Sequence, residues 1–124
     1  MTLEHPTYHT LVVDDESDVC YLFTIILRRR NTTISCASTL VEAKAELARQ
    51  PTDILFLDNF LPDGLGIDFI TYVKGTYPLT KIIVISANDN VSNHNKAIES
   101  GAERFLSKPL GIEELDETIQ QLYH

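Results

Sequence analysis

The fold class this sequence predicts is a single α/β domain: a five-stranded parallel sheet, doubly wound, with five helices flanking its two faces. Three observations support it. Short runs of apolar, β-prone residues alternate five times with segments of helical periodicity, and the connections are short. The third run, Ile54 to Leu57, is apolar at every position, the pattern of a strand covered on both faces. The length of 124 residues also falls within the usual size of one domain, enough to bury roughly two-thirds of the unfolded surface.

Residues 1 to 8 read as a loose leader and 9 to 124 as the domain; His5 and His9 lack a third metal ligand and receive no role. The first strand, His9 to Val13, ends on the acids Asp14, Asp15 and Glu16. Val19, Leu22, Phe23, Ile26 and Leu27 then recur at helical spacing, and Arg28, Arg29 and Arg30 suit a solvated helix C-terminus. Thr33 to Ala37 forms the second strand. Thr39 and Glu42 form a capping box for a helix that buries Leu40, Ala43 and Leu47 and closes at Pro51.

The third strand stops on Asp58, and Pro62 with Asp63-Gly64 turns the chain away from it. Helix three spans Ile67 to Tyr77. Strand four, Lys81 to Ile85, leads to Ser86, Ala87 and the polar loop Asn88 to Asn90. Helix four, Val91 to Ser100, is rich in weak helix formers and is the softest expected element; Gly101 stops it. Strand five, Glu103 to Leu106, precedes Ser107, Lys108 and Pro109, and helix five turns Ile112, Leu115, Ile119 and Leu122 inward.

Composition narrows the function. No apolar run approaches the roughly 18 residues of a membrane span, and Met1 to Tyr8 carries no export signal, so a soluble, cytoplasmic protein without membrane contact is expected. A net charge of −8 argues against direct nucleic-acid binding by this domain. Cys20 and Cys36 fall in apolar segments without metal or redox spacing and read as small core hydrophobes.

Ligands of such sheets bind beyond the carboxyl ends of the strands. Asp14 and Asp15, Asp58, Ser86 and Lys108 all lie at such ends, and so are expected in one crevice. Carboxylates about 5 Å apart repel by roughly 3 kcal/mol per pair at an effective dielectric of 20, which asks for a cation. Mg²⁺ fits, because it takes a few carboxylates and shares its remaining positions with water and phosphate oxygens. Lys108 and Ser86 then suit a phosphoryl group, and Asp58, alone on the central strand, is the expected nucleophile.

With "VVDDE" at 12 to 16, "LDNFLPDGLG" at 57 to 66, "ISA" at 85 to 87 and "AIESGAERFLSKP" at 97 to 109, the chain resembles a receiver domain of a two-component response regulator from His9 to Tyr123. The resemblance implies the flavodoxin-like strand order 2-1-3-4-5. It implies Asp58 as phosphoacceptor, Mg²⁺ among Asp14, Asp15, Asp58 and the backbone carbonyl of Phe60, and Ser86 and Lys108 on the phosphoryl oxygens. Phe105 matches the switch aromatic, and a cis Lys108-Pro109 peptide is implied.

Phosphorylation would draw Ser86 toward Asp58, let Phe105 turn inward, and change the surface of helix four, strand five and helix five. The implied partners are a sensor histidine kinase or histidine phosphotransfer protein, and a downstream protein target or an effector domain missing from this sequence. The domain would catalyse only its own phosphotransfer and slow self-dephosphorylation.

Departures from the family pattern are few. Leu65 stands where a small or acidic residue is common, and Gly111 replaces a capping acid. Phe60 and Asn88 occupy positions that tune hydrolysis, and bulky Phe60 predicts slow loss of the phosphoryl group. No Lys or Arg follows Lys108, which removes the basic helix-five partner of one common receiver dimer. Two rivals are an Mg²⁺-dependent phosphatase with an aspartate nucleophile, which would place Asp-x-Asp after the first strand, and a flavodoxin-like cofactor binder, which would need a Gly and Ser/Thr loop there.

Overall fold

The computed structural model describes residues 8–28, 30, 32–87 and 90–122. In chain order the elements are β1 (Tyr8–Val13), α1 (Ser17–Leu27), β2 (Thr32–Ala37), α2 (Leu40–Arg49), β3 (Ile54–Asp58), β4 (Phe60–Leu61), β5 (Gly64–Leu65), α3 (Gly66–Thr76), β6 (Lys81–Ser86), α4 (Val91–Ser100), β7 (Arg104–Ser107) and α5 (Ile112–Leu122). The main sheet runs β2-β1-β3-β6-β7, all parallel, which is the expected 2-1-3-4-5 order. The expected leader lies outside the described residues up to position 7, whereas Tyr8 already pairs with Thr32 in the sheet.

The two-residue period of the strands divides the core. Leu11, Val13, Leu55, Leu57, Ile82 and Val84 face Ala43 and Leu47 of α2, Ile70 and Val73 of α3, and Ala97 of α4. Val12, Ile54, Phe56, Ile83, Ile85 and Leu106 face Phe23, Ile26 and Leu27 of α1 and Leu115, Ile119 and Leu122 of α5. The Phe23 and Phe56 rings meet at 4.4 Å. β3 is buried at all five positions, which is why its sequence does not alternate. Among the described residues no helix is long and apolar enough to cross a membrane.

Some expectations need correction. Cys20 and Cys36 are not separate core hydrophobes: they form a disulfide, with Cα atoms 6.2 Å apart and Cys36 exposed. β2 is an edge strand, and Cys36 shares the parity of Ile34, which packs on the α1 side, so its thiol meets that helix. Ile112 is 61% exposed. It stands in the first turn of α5 and lines a groove with Ile25 and Arg30. Arg30 is no solvated cap, since it binds Asp116 of α5 at 2.6 Å; Arg29 lies outside the described residues.

The turn after Asp58 contains a small antiparallel hairpin, β4 on β5. Asp63 at its tip accepts the Leu40 and Val41 N–H groups (2.8 and 3.1 Å), so the hairpin caps α2 beside Thr39, whose hydroxyl accepts the Glu42 N–H. Those bonds hold the Asp63 carboxyl below its ordinary range. Glu42 returns its carboxylate to the Ser38 N–H, one residue earlier than a standard capping box.

Candidate functional site

Asp14, Asp58 and Ser86 sit where the buried strands β1, β3 and β6 stop, and Lys108 follows the end of β7. The Asp14 N–H bonds the Ala37 carbonyl at 3.0 Å, which extends the β1–β2 pairing to the first acid, while Asp14 Oδ1 accepts the Glu16 N–H at 2.8 Å and starts the turn into α1. Asp58 pairs with Ile85 at the end of β3. Asn59, next to it, donates its N–H to the Ile85 carbonyl, and its side-chain and backbone oxygens accept the N–H groups of Ile67 and Gly66. This fastens the start of α3 to the strand end. Gly66 is required there, because a Cβ would run into the carbonyl oxygen of Asp58.

The crevice that results brings one carboxylate oxygen from each of Asp14, Asp15 and Asp58 within 4.8 Å of the others. Asp14 and Asp58 are buried and Asp15 is exposed. Lys108 reaches in from the end of β7: its Nζ lies 2.8 Å from Asp14 Oδ2, 2.9 Å from Glu16 Oε1 and 3.7 Å from Asp58 Oδ1. Its backbone N–H bonds the Ser86 carbonyl at 2.9 Å, which ties the Lys108 segment to β6, and the Lys108-Pro109 peptide is cis. Ser86 is fully buried and pairs with Ser107.

The electrostatics follow from this crowding. Burial, together with the Asp14 charge, lifts the Asp58 carboxyl to about 6, with a smaller push from Asp15; Lys108 and the Phe60 N–H oppose the rise. Burial pulls the Lys108 amine down, but contacts with Asp14 and Glu16 and the nearby Asp58 charge outweigh it and hold the amine above its ordinary value. One lysine does not balance the four acids Asp14, Asp15, Glu16 and Asp58. Asp14 Oδ2 is sealed from solvent and is met by the Lys108 ammonium at 2.8 Å. The clustered carboxylate oxygens of Asp14, Asp15 and Asp58 form an all-oxygen donor set that fits a hard divalent cation.

The seven predicted site residues therefore divide. Asp14, Asp15, Asp58 and Lys108 share one crevice, and Ser86 is joined to it through its carbonyl. Phe60 stands two residues after Asp58 in β4, about half exposed, with its backbone N–H on the Asp58 carboxylate. Phe105 stands apart on β7, half-buried, its ring stacked 5.2 Å from the His94 ring of α4. Asn88 lies outside the described residues. Glu16, in the acidic run, has no predicted role although it meets Lys108, and no local signal in the sequence marks Asn59 or His94.

A doubly wound parallel sheet with acids at two strand ends and a lysine beyond a third defines the class: a domain whose charged crevice lies at the carboxyl edge of its sheet. The family model "Response regulator receiver domain" matches residues 10–120. The chain is 36% identical over 109 residues to the response regulator protein PilR of Pseudomonas aeruginosa, covering 88% of this chain and 24% of that protein. It is 33% identical over 112 residues to the KDP operon transcriptional regulatory protein KdpE of Escherichia coli, covering 90% and 49%. The solution structure of the beryllofluoride-activated NtrC4 receiver domain dimer superposes with a TM-score of 0.87 at 34% identity, covering 93% of this chain and 95% of that one. The chain belongs to the response regulator receiver family of two-component systems. It spans between about a quarter and a half of the length of these two curated relatives.

Proposed function

We propose that residues 9–124 act as a receiver that accepts a phosphoryl group on Asp58 from a phosphohistidine donor, a sensor kinase or a histidine phosphotransfer protein. The observation that carries this is the meeting of Asp14, Asp15, Asp58 and Lys108 in one partly buried crevice. An Asp58 oxygen attacks phosphorus, the P–N bond to the donor breaks, and the imidazole leaves with the bonding pair. Asp14, Asp15, Asp58 and the Phe60 carbonyl are the ligands we assign to Mg²⁺, which when bound neutralises charge on the transferring phosphoryl oxygens. Lys108, already within 3.7 Å of Asp58, pairs with the same oxygens once the acid is modified.

The output follows from the neighbouring elements. The Ser86 hydroxyl moves toward the phosphoryl group, and the stack of Phe105 on His94 is released as α4 adjusts. A shift from mostly inactive to mostly active needs about 5.5 kcal/mol of differential stabilisation. The changed surface of α4, β7 and α5 then engages a downstream protein or effector domain.

Mass spectrometry after incubation with acetyl phosphate tests the reading. We expect a gain of one phosphate that requires Mg²⁺ and is absent in Asp58→Asn. Incorporation in that variant, or rapid turnover of a chromogenic phosphate ester by the wild type, would overturn it in favour of other chemistry.

A further inference from the structure

We propose that Cys20 and Cys36 form a reversible redox link that sets the rigidity of the acidic loop, so that oxidation tightens cation binding at Asp14, Asp15 and Asp58. Cys36 anchors that loop at both ends. Through the β1–β2 ladder it is the register partner of Val12, and through the disulfide it holds Cys20 in α1. The segment between those points carries Asp14, Asp15 and Glu16. The residue after Cys36, Ala37, supplies the carbonyl that receives the Asp14 N–H at 3.0 Å. Closing the link therefore removes freedom from the residues that present three of the acids in the crevice, and a pre-ordered site binds its ion with less entropic cost.

Access favours reversibility. Cys36 is exposed on an edge strand and Cys20 is half-buried against it, so a small disulfide can reach the outer sulfur first. With glutathione disulfide as oxidant, the Cys36 thiolate attacks one of its sulfurs and expels one glutathione thiolate. The Cys20 thiolate then attacks the Cys36 sulfur of the mixed disulfide and expels the second. Two protein thiols are oxidised and one glutathione disulfide is reduced to two thiols. The Cα separation of 6.2 Å lies within the range that a disulfide spans without backbone movement.

The effect on Mg²⁺ rests on the metal reading above, so the test separates the two. The full chain is equilibrated at a series of glutathione ratios, and differential alkylation measures the bond. Hydrogen exchange of the amides at 14–20, without metal, measures the loop. Calorimetric titration with Mg²⁺ measures the site. We expect full conversion between dithiol and disulfide, slower exchange in the oxidised form, and Mg²⁺ bound about threefold more tightly. Cys36→Ser and the double serine variant should bind Mg²⁺ like the reduced protein at every ratio. Two alkylatable thiols at all ratios, a bond that leaves exchange unchanged, or an unchanged Mg²⁺ affinity in a protein that binds the ion would each overturn the proposal. If exchange responds but neither form binds Mg²⁺, the metal reading falls and the proposed gain in cation affinity falls with it.

Discussion

Replacing Asp58 by Asn should make the metal-free protein more stable, because the crevice holds this carboxylate against repulsion and burial. A carboxyl lifted from 3.8 to about 6 has lost roughly 3 kcal/mol of preference for its charged form, at about 1.4 kcal/mol per tenfold change. With Asp58 only 5% exposed, little of that is screened by solvent. The sign follows from proton binding. Between 3.8 and about 6 the folded protein keeps a proton on Asp58 that the unfolded chain has released, so the Asp58 contribution to wild-type stability falls as pH rises through this window and is level above it. The advantage of Asp58→Asn should therefore be near zero below pH 4 and reach its full value by pH 7. For a chain of this size about 3 kcal/mol is a rise in Tm on the order of 10 °C. Thermal unfolding of both proteins in chelator at pH 4, 5.5 and 7.5 measures this, and Mg²⁺ should narrow the gap by stabilising only the wild type. Equal Tm values at pH 7.5, or a gap that does not change with pH, would refute the reasoning.

Other outcomes follow from single contacts. Gly66→Ala should destabilise by about 2 kcal/mol in urea unfolding, since its Cβ meets the Asp58 carbonyl and forces α3 off the strand end. Phe60→Ala, which removes a half-exposed apolar ring two residues beyond Asp58, should shorten the lifetime of the phosphorylated form about tenfold, equivalent to about 1.4 kcal/mol of barrier, in a chase after acetyl phosphate labelling. His9 is buried at the far end of β1. Burial lowers its pKa below 6.5, with Arg49 acting the same way and Glu46 and Asp53 opposing. Its contribution is complete above pH 6.5 and is lost as pH falls below that, so His9→Gln should flatten the acid side of the stability profile in urea titrations. Beryllofluoride should move the NMR signals of α4 and the His94 ring; unchanged α4 signals would rule out the switch proposed through Phe105.

Most of the fold was legible because the strand and helix periods differ and are repeated five times. Val12 and Phe56 against Leu11 and Leu55 follow the two-residue alternation that sends α1 and α5 to one face and α2, α3 and α4 to the other. The site was legible for a related reason. In a parallel sheet all strands end on the same side, so Asp14, Asp58 and Lys108 converge although Asp14 and Lys108 lie almost a chain length apart. Exceptions arose where a residue's partner belongs to another element. Cys36 looked like a core hydrophobe until the edge position of β2 put its thiol against α1. Ile112 had the spacing of an inward residue but sits on the first turn of α5, where the helix faces a groove rather than the sheet. Asp63 read as turn chemistry and also caps α2.

Local order along the chain was enough to specify elements, their sequence and the ends at which chemistry-bearing residues would stand, since periodicity and turn residues act over a few neighbours. Distances between groups remote in sequence were decided only by packing. The 2.8 Å contact of Lys108 with Asp14, the fastening of α3 through Asn59 and the joining of Cys20 to Cys36 each depend on how helices settle against a twisted sheet, a property of the assembled core that no short stretch encodes.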